Sequence, residues 1–116
     1  MSQGDYSAAV YDVVMTRGDT FLEDFIVRDT DGSLLDLDGY TFASQVRQTA
    51  AGSAVVSMTV TVDTDESKVT RTFGTAVSAG IAPGVYVHDM QWTDPSSRVR
   101  TLIAGRFTVK AEVTRP

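Results

Sequence analysis

Side chains alternate with a period of two along most of this chain, and the last third does so over the longest span. Gly84-Val85-Tyr86-Val87-His88-Asp89-Met90-Gln91-Trp92 leads through Asp94-Pro95-Ser96-Ser97 into Val99-Arg100-Thr101-Leu102-Ile103-Ala104-Gly105-Arg106-Phe107-Thr108-Val109. A period of two sends neighbouring side chains to opposite faces of a strand, and two such runs around a Pro/Ser turn predict a half-buried antiparallel hairpin. Arg98, Arg100, Arg106 and Lys110 fall on alternate positions of the returning strand. They predict one apolar face turned to a core and one basic face turned to a partner.

The same period recurs upstream, with turn residues between the runs. Val10–Met15 is a short apolar run that ends at Thr16-Arg17-Gly18-Asp19, where Gly permits the turn and Asp caps it. Thr20–Arg28 alternates on both faces, which predicts a central strand, and Asp29-Thr30-Asp31-Gly32-Ser33 and Asp38-Gly39 are turns around it. Thr41–Gln48 places Phe42, Ser44 and Val46 on one face. Val55–Asp63 places Val56, Met58, Val60 and Val62 on one face, and Lys68–Thr75 follows an acidic turn with Val69 and Phe73 in phase. Ala76–Pro83 has room for a single helical turn. The phase of Phe107, Val109, Ala111 and Val113 runs almost to the end of the chain. Seven or eight short strands at this spacing, with β-branched residues between turns, predict one all-β domain built as an antiparallel sandwich.

Composition narrows the function classes. The chain of 116 residues has no cysteine, and no stretch approaches the ~20 apolar residues of a membrane span. The first residues lack the basic and apolar regions of a secretory signal. Absent cysteine fits a protein made in a reducing cytoplasm. The net charge is −5, which argues against general nucleic-acid binding, since phosphate contact needs a basic face. That charge is uneven: residues 1–66 carry 3 − 12 = −9 and residues 67–116 carry 7 − 3 = +4. Either the domain has an acidic and a basic side, or strands of both halves interleave and the surface averages out.

Chemistry is sparse. There is one histidine, His88, in phase with Tyr86, Met90 and Trp92, and it reads as a packed strand residue rather than an acid or base. Asp89 is expected to pair with an arginine of the neighbouring strand such as Arg100. No nucleophile or catalytic triad is legible, so the expectation is a protein that is not an enzyme and has no cofactor. Asp29-Thr30-Asp31-Gly32 and Asp36-Leu37-Asp38-Gly39 repeat an acidic pattern seven residues apart. They fail as a calcium loop because Gly comes too early and no Glu stands at the twelfth position; Asx-turns account for them equally well. Trp92, Tyr86, Tyr40 and Tyr11 are candidates for stacking on a sugar, set against the reading that Trp92 and Tyr86 belong to the core.

Several short motifs together resemble a known family. Thr16-Arg17-Gly18-Asp19-Thr20-Phe21, Asp31-Gly32, Leu37-Asp38-Gly39-Tyr40-Thr41 and Gln45-Val46-Arg47 in the first half are similar to small Ig-like domains of tailed-phage virion proteins. So are Ala82-Pro83-Gly84-Val85-Tyr86, His88-Asp89-Met90-Gln91, Gly105-Arg106-Phe107-Thr108-Val109 and Val113-Thr114-Arg115. The N-terminal domain of phage upper baseplate proteins and related tail- and fibre-associated proteins carries this pattern. The chain departs from it at His88, where the resemblance implies an aromatic. It implies an Ig-like fold and a non-enzymatic structural role in the tail, baseplate or fibre attachment of a virion made in a bacterial cytoplasm. Other phage structural proteins are the implied partners, with a symmetric oligomer of the chain itself a further possibility; neither nucleic acid nor membrane is one. The contacts expected on this reading are Arg98, Arg100, Arg106 and Lys110. The alternative is a β-sandwich module that binds carbohydrate or a cell surface.

Overall fold

The alternating runs become nine strands and one short helix in the computed structural model, which describes residues 8–113. These are β1 (Ala9–Val10), β2 (Val13–Thr16), β3 (Phe21–Ile26), β4 (Thr41–Arg47), β5 (Ala54–Ser57), β6 (Thr59–Asp63), β7 (Lys68–Phe73), α1 (Thr75–Ala79), β8 (Gly84–Thr93) and β9 (Val99–Lys110). One sheet has the order β9-β8-β4-β5, with β1 and β2 both lying along the free side of β9; the other has the order β3-β7-β6. An immunoglobulin-type sandwich pairs its second, fifth and fourth strands in one sheet and its third, sixth and seventh in the other. Counting β1 and β2 as one first strand and β5 as the added strand of the variable type, the second to seventh strands take the same places here, while the first lies along the seventh instead of joining the second. The Tyr86 hydroxyl donates to the Ala82 carbonyl at 2.6 Å, across the corner that leads into β8. That is the tyrosine corner of Ig-like domains. The chain folds as an Ig-like β-sandwich.

Four details differ from the sequence expectation. Nine strands form rather than seven or eight, because two predicted runs are broken. Val55–Asp63 crosses from one sheet to the other at Met58, whose amide donates to the Ser44 carbonyl at 2.9 Å, so Val56 and Val62 serve different sheets. Val10–Met15 is interrupted at Tyr11-Asp12 and pairs parallel, not antiparallel, to β9, in one constant register from Ala9↔Ile103 to Thr16↔Lys110. The predicted central strand β3 lies at an edge and pairs only with β7. Its second apolar row, Leu22 and Ile26, is therefore exposed. The inward phase of β9 stops at Val109, and Val113 is fully exposed. Met1–Asp5 and Thr114-Arg115 of the closing motif lie outside the described residues.

The core forms where the inward phases meet. One cluster holds Val13, Met15, Phe21, Val46, Val56, Met58, Phe73, Ile81, Tyr86, Phe107 and Val109. A second holds Leu37, Val69 and Met90, with Phe25, Tyr40, Phe42, Leu102 and Ile103 half-buried against it. Each large apolar side chain taken out of water stabilises by about 1.5–3 kcal/mol. Phe21 stacks on Phe73 at 5.1 Å and meets Phe107 edge-on at 5.2 Å, which ties the two sheets together.

Candidate functional site

Between the two clusters lies a layer of polar side chains, one from each strand that crosses it. In β3 the inward residues are Phe21, Glu23, Phe25; in β4, Phe42, Ser44, Val46; in β7, Val69, Arg71, Phe73; in β8, Tyr86, His88, Met90. The middle residue of each set is polar, and its neighbours two positions away belong to different apolar clusters. Gly105 holds the same place in β9, opposite His88.

Arg71 is the centre of this layer and is fully buried. Its Nε and Nη2 donate to Glu23 Oε1 at 2.8 and 2.5 Å. Its Nη1 donates to Ser44 Oγ at 3.1 Å and to His88 Nδ1 at 3.0 Å. The rings of Phe21, Phe25 and Tyr11 lie 5.4, 5.4 and 5.9 Å from the guanidinium carbon, within cation–π range. Tyr11 donates its hydroxyl to Glu23 Oε2 at 2.6 Å, and that bond is the main reason its phenol titrates above the usual range. Ser44 in turn donates to the Asp89 carbonyl at 2.6 Å. A buried charge is tolerated only when paired and hydrogen-bonded, and this one is both.

The geometry fixes the tautomer of His88. Arg71 has only donors, so Nδ1 accepts; the Tyr11 carbonyl has only lone pairs, so Nε2–H donates to it, at 2.5 Å. The imidazole is thus held neutral, and burial pushes its pKa below the ordinary value. The Tyr11 carbonyl can reach it because Gly105 has no side chain. A Cβ there would stand 2.3 Å from that oxygen and 2.7 Å from Asp12 Oδ1. The layer is an inter-sheet clamp. His88 is packed, as its phase predicts; the buried Arg71 and its partners Glu23 and Ser44 were not singled out from the sequence. The signal for them was a polar residue in the inward phase between two apolar ones, repeated on four strands.

The exposed surface with most features is the outer face of the larger sheet. Residues opposite one another in adjacent strands share a face, so three rows can be read from the register. Val14, Thr108 and Val85 form one; Arg106, Val87 and Arg47 form the next; Val10, Ala104, Asp89 and Gln45 form the third. Val10, Val14 and Val85 are each more than 60% exposed. A groove of about 640 Å³ opens on this face, bordered by Val10, Arg47, Val87, Asp89 and Arg106, and reaches His88 and Gly105 of the clamp. Arg47 donates to the Gly52 carbonyl and to Gln45 Oε1. Asp89 and Arg106 take part in no side-chain ion pair or hydrogen bond among the described residues.

The four predicted contact residues do not form one row. Met90 pairs with Ile103 but Gln91 with Thr101, so Leu102 is an extra residue in β9. A bulge of this kind inverts the face of everything beyond it. Arg106 and Lys110 lie on the outer face, whereas Arg100 pairs with Trp92 and lies on the opposite one. Both Leu102 and Ile103 can then pack on the second cluster. Asp89 is on the outer face beside Ala104 and Gln45, so the expected Asp89–Arg100 pair does not form. Arg98 is in the hairpin turn, where its Nε donates to Asp94 Oδ2 at 2.8 Å.

The aspartate-rich turns close on themselves. Asp31 Oδ1 accepts from the Ser33 amide at 2.9 Å, Asp36 Oδ1 from the Asp38 amide at 3.0 Å and Asp63 Oδ1 from the Asp65 amide at 3.0 Å. These are Asx-turns. No grouping of three His, Cys, Asp or Glu side chains suited to a metal ion occurs among the described residues. No helix among them is long and apolar enough to cross a membrane. Tyr86 is core, and Tyr11 belongs to the clamp. Trp92 meets Tyr40 edge-on at 5.0 Å and Phe42 at 6.3 Å, half-buried near the hairpin end. No protein-family model and no curated protein matches this chain.

Proposed function

We propose that this protein is a non-enzymatic structural component of a phage particle, in its tail, baseplate or fibre attachment, and that it works through protein–protein contact. The observation that carries the contact reading is the outer face of the larger sheet. Three valines stand exposed there around a carboxylate and a guanidinium that the fold leaves unpaired. Exposed apolar area next to unpaired charge is the composition of a surface awaiting a partner. The clamp touches the same groove at His88 and Gly105, but its donors and acceptors are engaged with one another. The virion assignment rests on the resemblance of the motifs, and the Ig-like sandwich is the fold that resemblance implies. Arg106 and Lys110 are the basic residues placed to take part.

The test is the protein content of particles released by a bacterial culture carrying the gene and purified on a density gradient. The expected result is this chain at a fixed copy number beside the other particle proteins, by quantitative mass spectrometry. Its absence from intact particles would overturn the virion reading. A second reading, a carbohydrate-binding module, is favoured by the Tyr40–Trp92 pair with Arg100 on the Trp92 face. It requires Trp92 fluorescence to shift on addition of host glycans, and unchanged emission sets it aside.

A further inference from the structure

We infer that the partner seated on the outer face of the larger sheet is a second copy of this chain, related by a two-fold axis that pairs Asp89 of each copy with Arg106 of the other. This rests on the contact reading of that face and names its occupant. Asp89↔Ala104 and Val87↔Arg106 are successive pairs of one ladder, so Asp89 and Arg106 occupy diagonal corners of a square on β8 and β9. Diagonal neighbours on one face lie roughly 7–8 Å apart. The two groups do not reach each other within their own sheet.

A two-fold axis lying in the face, midway between them and perpendicular to the line joining them, carries each charge onto the other. One isologous contact thereby closes two ion pairs and leaves neither charge buried alone. The exposed Val10, Val14 and Val85 flank this pair of charges, and Ala104 between them is small enough to let two sheets approach. Arg47 does not compete for Asp89, because Gln45 and the Gly52 carbonyl hold its guanidinium. Five strand widths by the ten residues of the longest strands bound the face at roughly 20 by 30 Å, and since only β8 and β9 reach that length the footprint lies towards the lower end of what specific complexes bury. Charge reversal at either position leaves like charges facing each other twice.

The pairing has a diagnostic signature in sedimentation velocity from about 1 µM to about 1 mM. Wild type is expected to dimerise with concentration. Asp89→Arg and Arg106→Asp are each expected to remain monomeric. An equimolar mixture of these two variants regains the dimer, since both contacts are again Asp–Arg, and so does the double variant Asp89→Arg/Arg106→Asp. The neutral pair Asp89→Asn and Arg106→Gln keeps the side-chain shapes and is expected to weaken the dimer about tenfold or more each, should a reversed charge disturb folding by circular dichroism. Monomeric wild type at every concentration overturns the inference, as does a single reversal that dimerises like wild type or a mixture that stays monomeric. A monomer that is nonetheless recovered on particles overturns only the second copy as occupant. A dimer missing from particles overturns only the virion reading.

Discussion

Gly105 shows how one residue decides the packing of a whole layer. It is a point of close approach: the Tyr11 carbonyl crosses over it to reach His88. Gly105→Ala forces that carbonyl and the Asp12 carboxylate away, at a cost of about 1–3 kcal/mol, the usual range for overpacking; urea denaturation of the variant measures it. His88 carries the second prediction at this scale. Its folded pKa lies below the ordinary 6.5 because burial disfavours the imidazolium and Arg71 faces Nδ1. The Tyr11 carbonyl, foremost, and then Glu23 and Asp89 partly offset this without reversing it. Well above pH 6.5 the imidazole is neutral in both states and the stability is complete. As the pH falls through 6.5, the unfolded chain takes up a proton that the folded chain refuses, and stability declines until the folded imidazole protonates too. The urea midpoint should therefore drop between about pH 7.5 and pH 5, and His88→Gln should remove that slope. A flat wild-type profile would contradict the neutral tautomer. The phase of His88 was legible from Tyr86 and Met90; its partners were not, because strand periodicity says which way a residue faces and not which strand it will meet.

The hairpin β8–β9 shows the same limit for a whole element. Its two runs and its turn were legible from alternation and from Asp94-Pro95-Ser96-Ser97, because local backbone chemistry determines both. Asp94 accepts from the amides of Ser96 and Arg98 at 2.9 Å each, and Ser97 takes the left-handed conformation that closes a three-residue hairpin loop. The bulge at Leu102 was not legible. It arises because two consecutive apolar residues, Leu102 and Ile103, both find the second cluster, and no strict period of two allows that. One extra residue divided the apparent basic row and moved Arg100 to the face of Trp92. The same tertiary demand broke Val55–Asp63 at Met58, since each sheet takes half of it. At this scale the prediction concerns the tip. The Arg98 amide, foremost, holds the Asp94 carboxyl below its usual range, so the order of the turn is present above the ordinary carboxylate pKa and is lost as the pH falls through the depressed one. Asp94→Ala should speed amide exchange at Ser96 and Arg98 by roughly tenfold, with the amides of Tyr86 and Phe107 unchanged. Equal acceleration throughout β8 and β9 would show that the turn also holds the strands.

In the whole molecule the uneven charge of the sequence averages out. β7 of the basic half lies between β3 and β6 of the acidic half, and the β8–β9 pair lies between β1 and β2 on one side and β4 on the other, so Glu23 meets Arg71 and Arg17 meets Glu112 across the fold. Recognition then depends on local patches such as Asp89 and Arg106 rather than on an acidic and a basic side. The core is likewise one structure in two parts, because the clamp separates the apolar clusters while β8 and β9 run through both. Tyr86 and Met90 are four residues apart on one strand, and Phe107 and Ile103 on the next, so neither cluster can open without straining the ladder that carries the other. Arg71 is the bond between the sheets at that seam: it joins Glu23 in the smaller sheet to Ser44 and His88 in the larger. Arg71→Leu leaves Nδ1 of His88 without a donor and Glu23 with the Tyr11 hydroxyl but no counter-charge, and should destabilise by about 3–5 kcal/mol. In wild type, Trp92 fluorescence, which reports on the second cluster, and far-UV circular dichroism, which reports on all strands, should follow one urea transition. If Trp92 is released first, the clusters are independent and the clamp is a boundary; a single transition that moves as a whole in Arg71→Leu makes it the joint on which both halves depend.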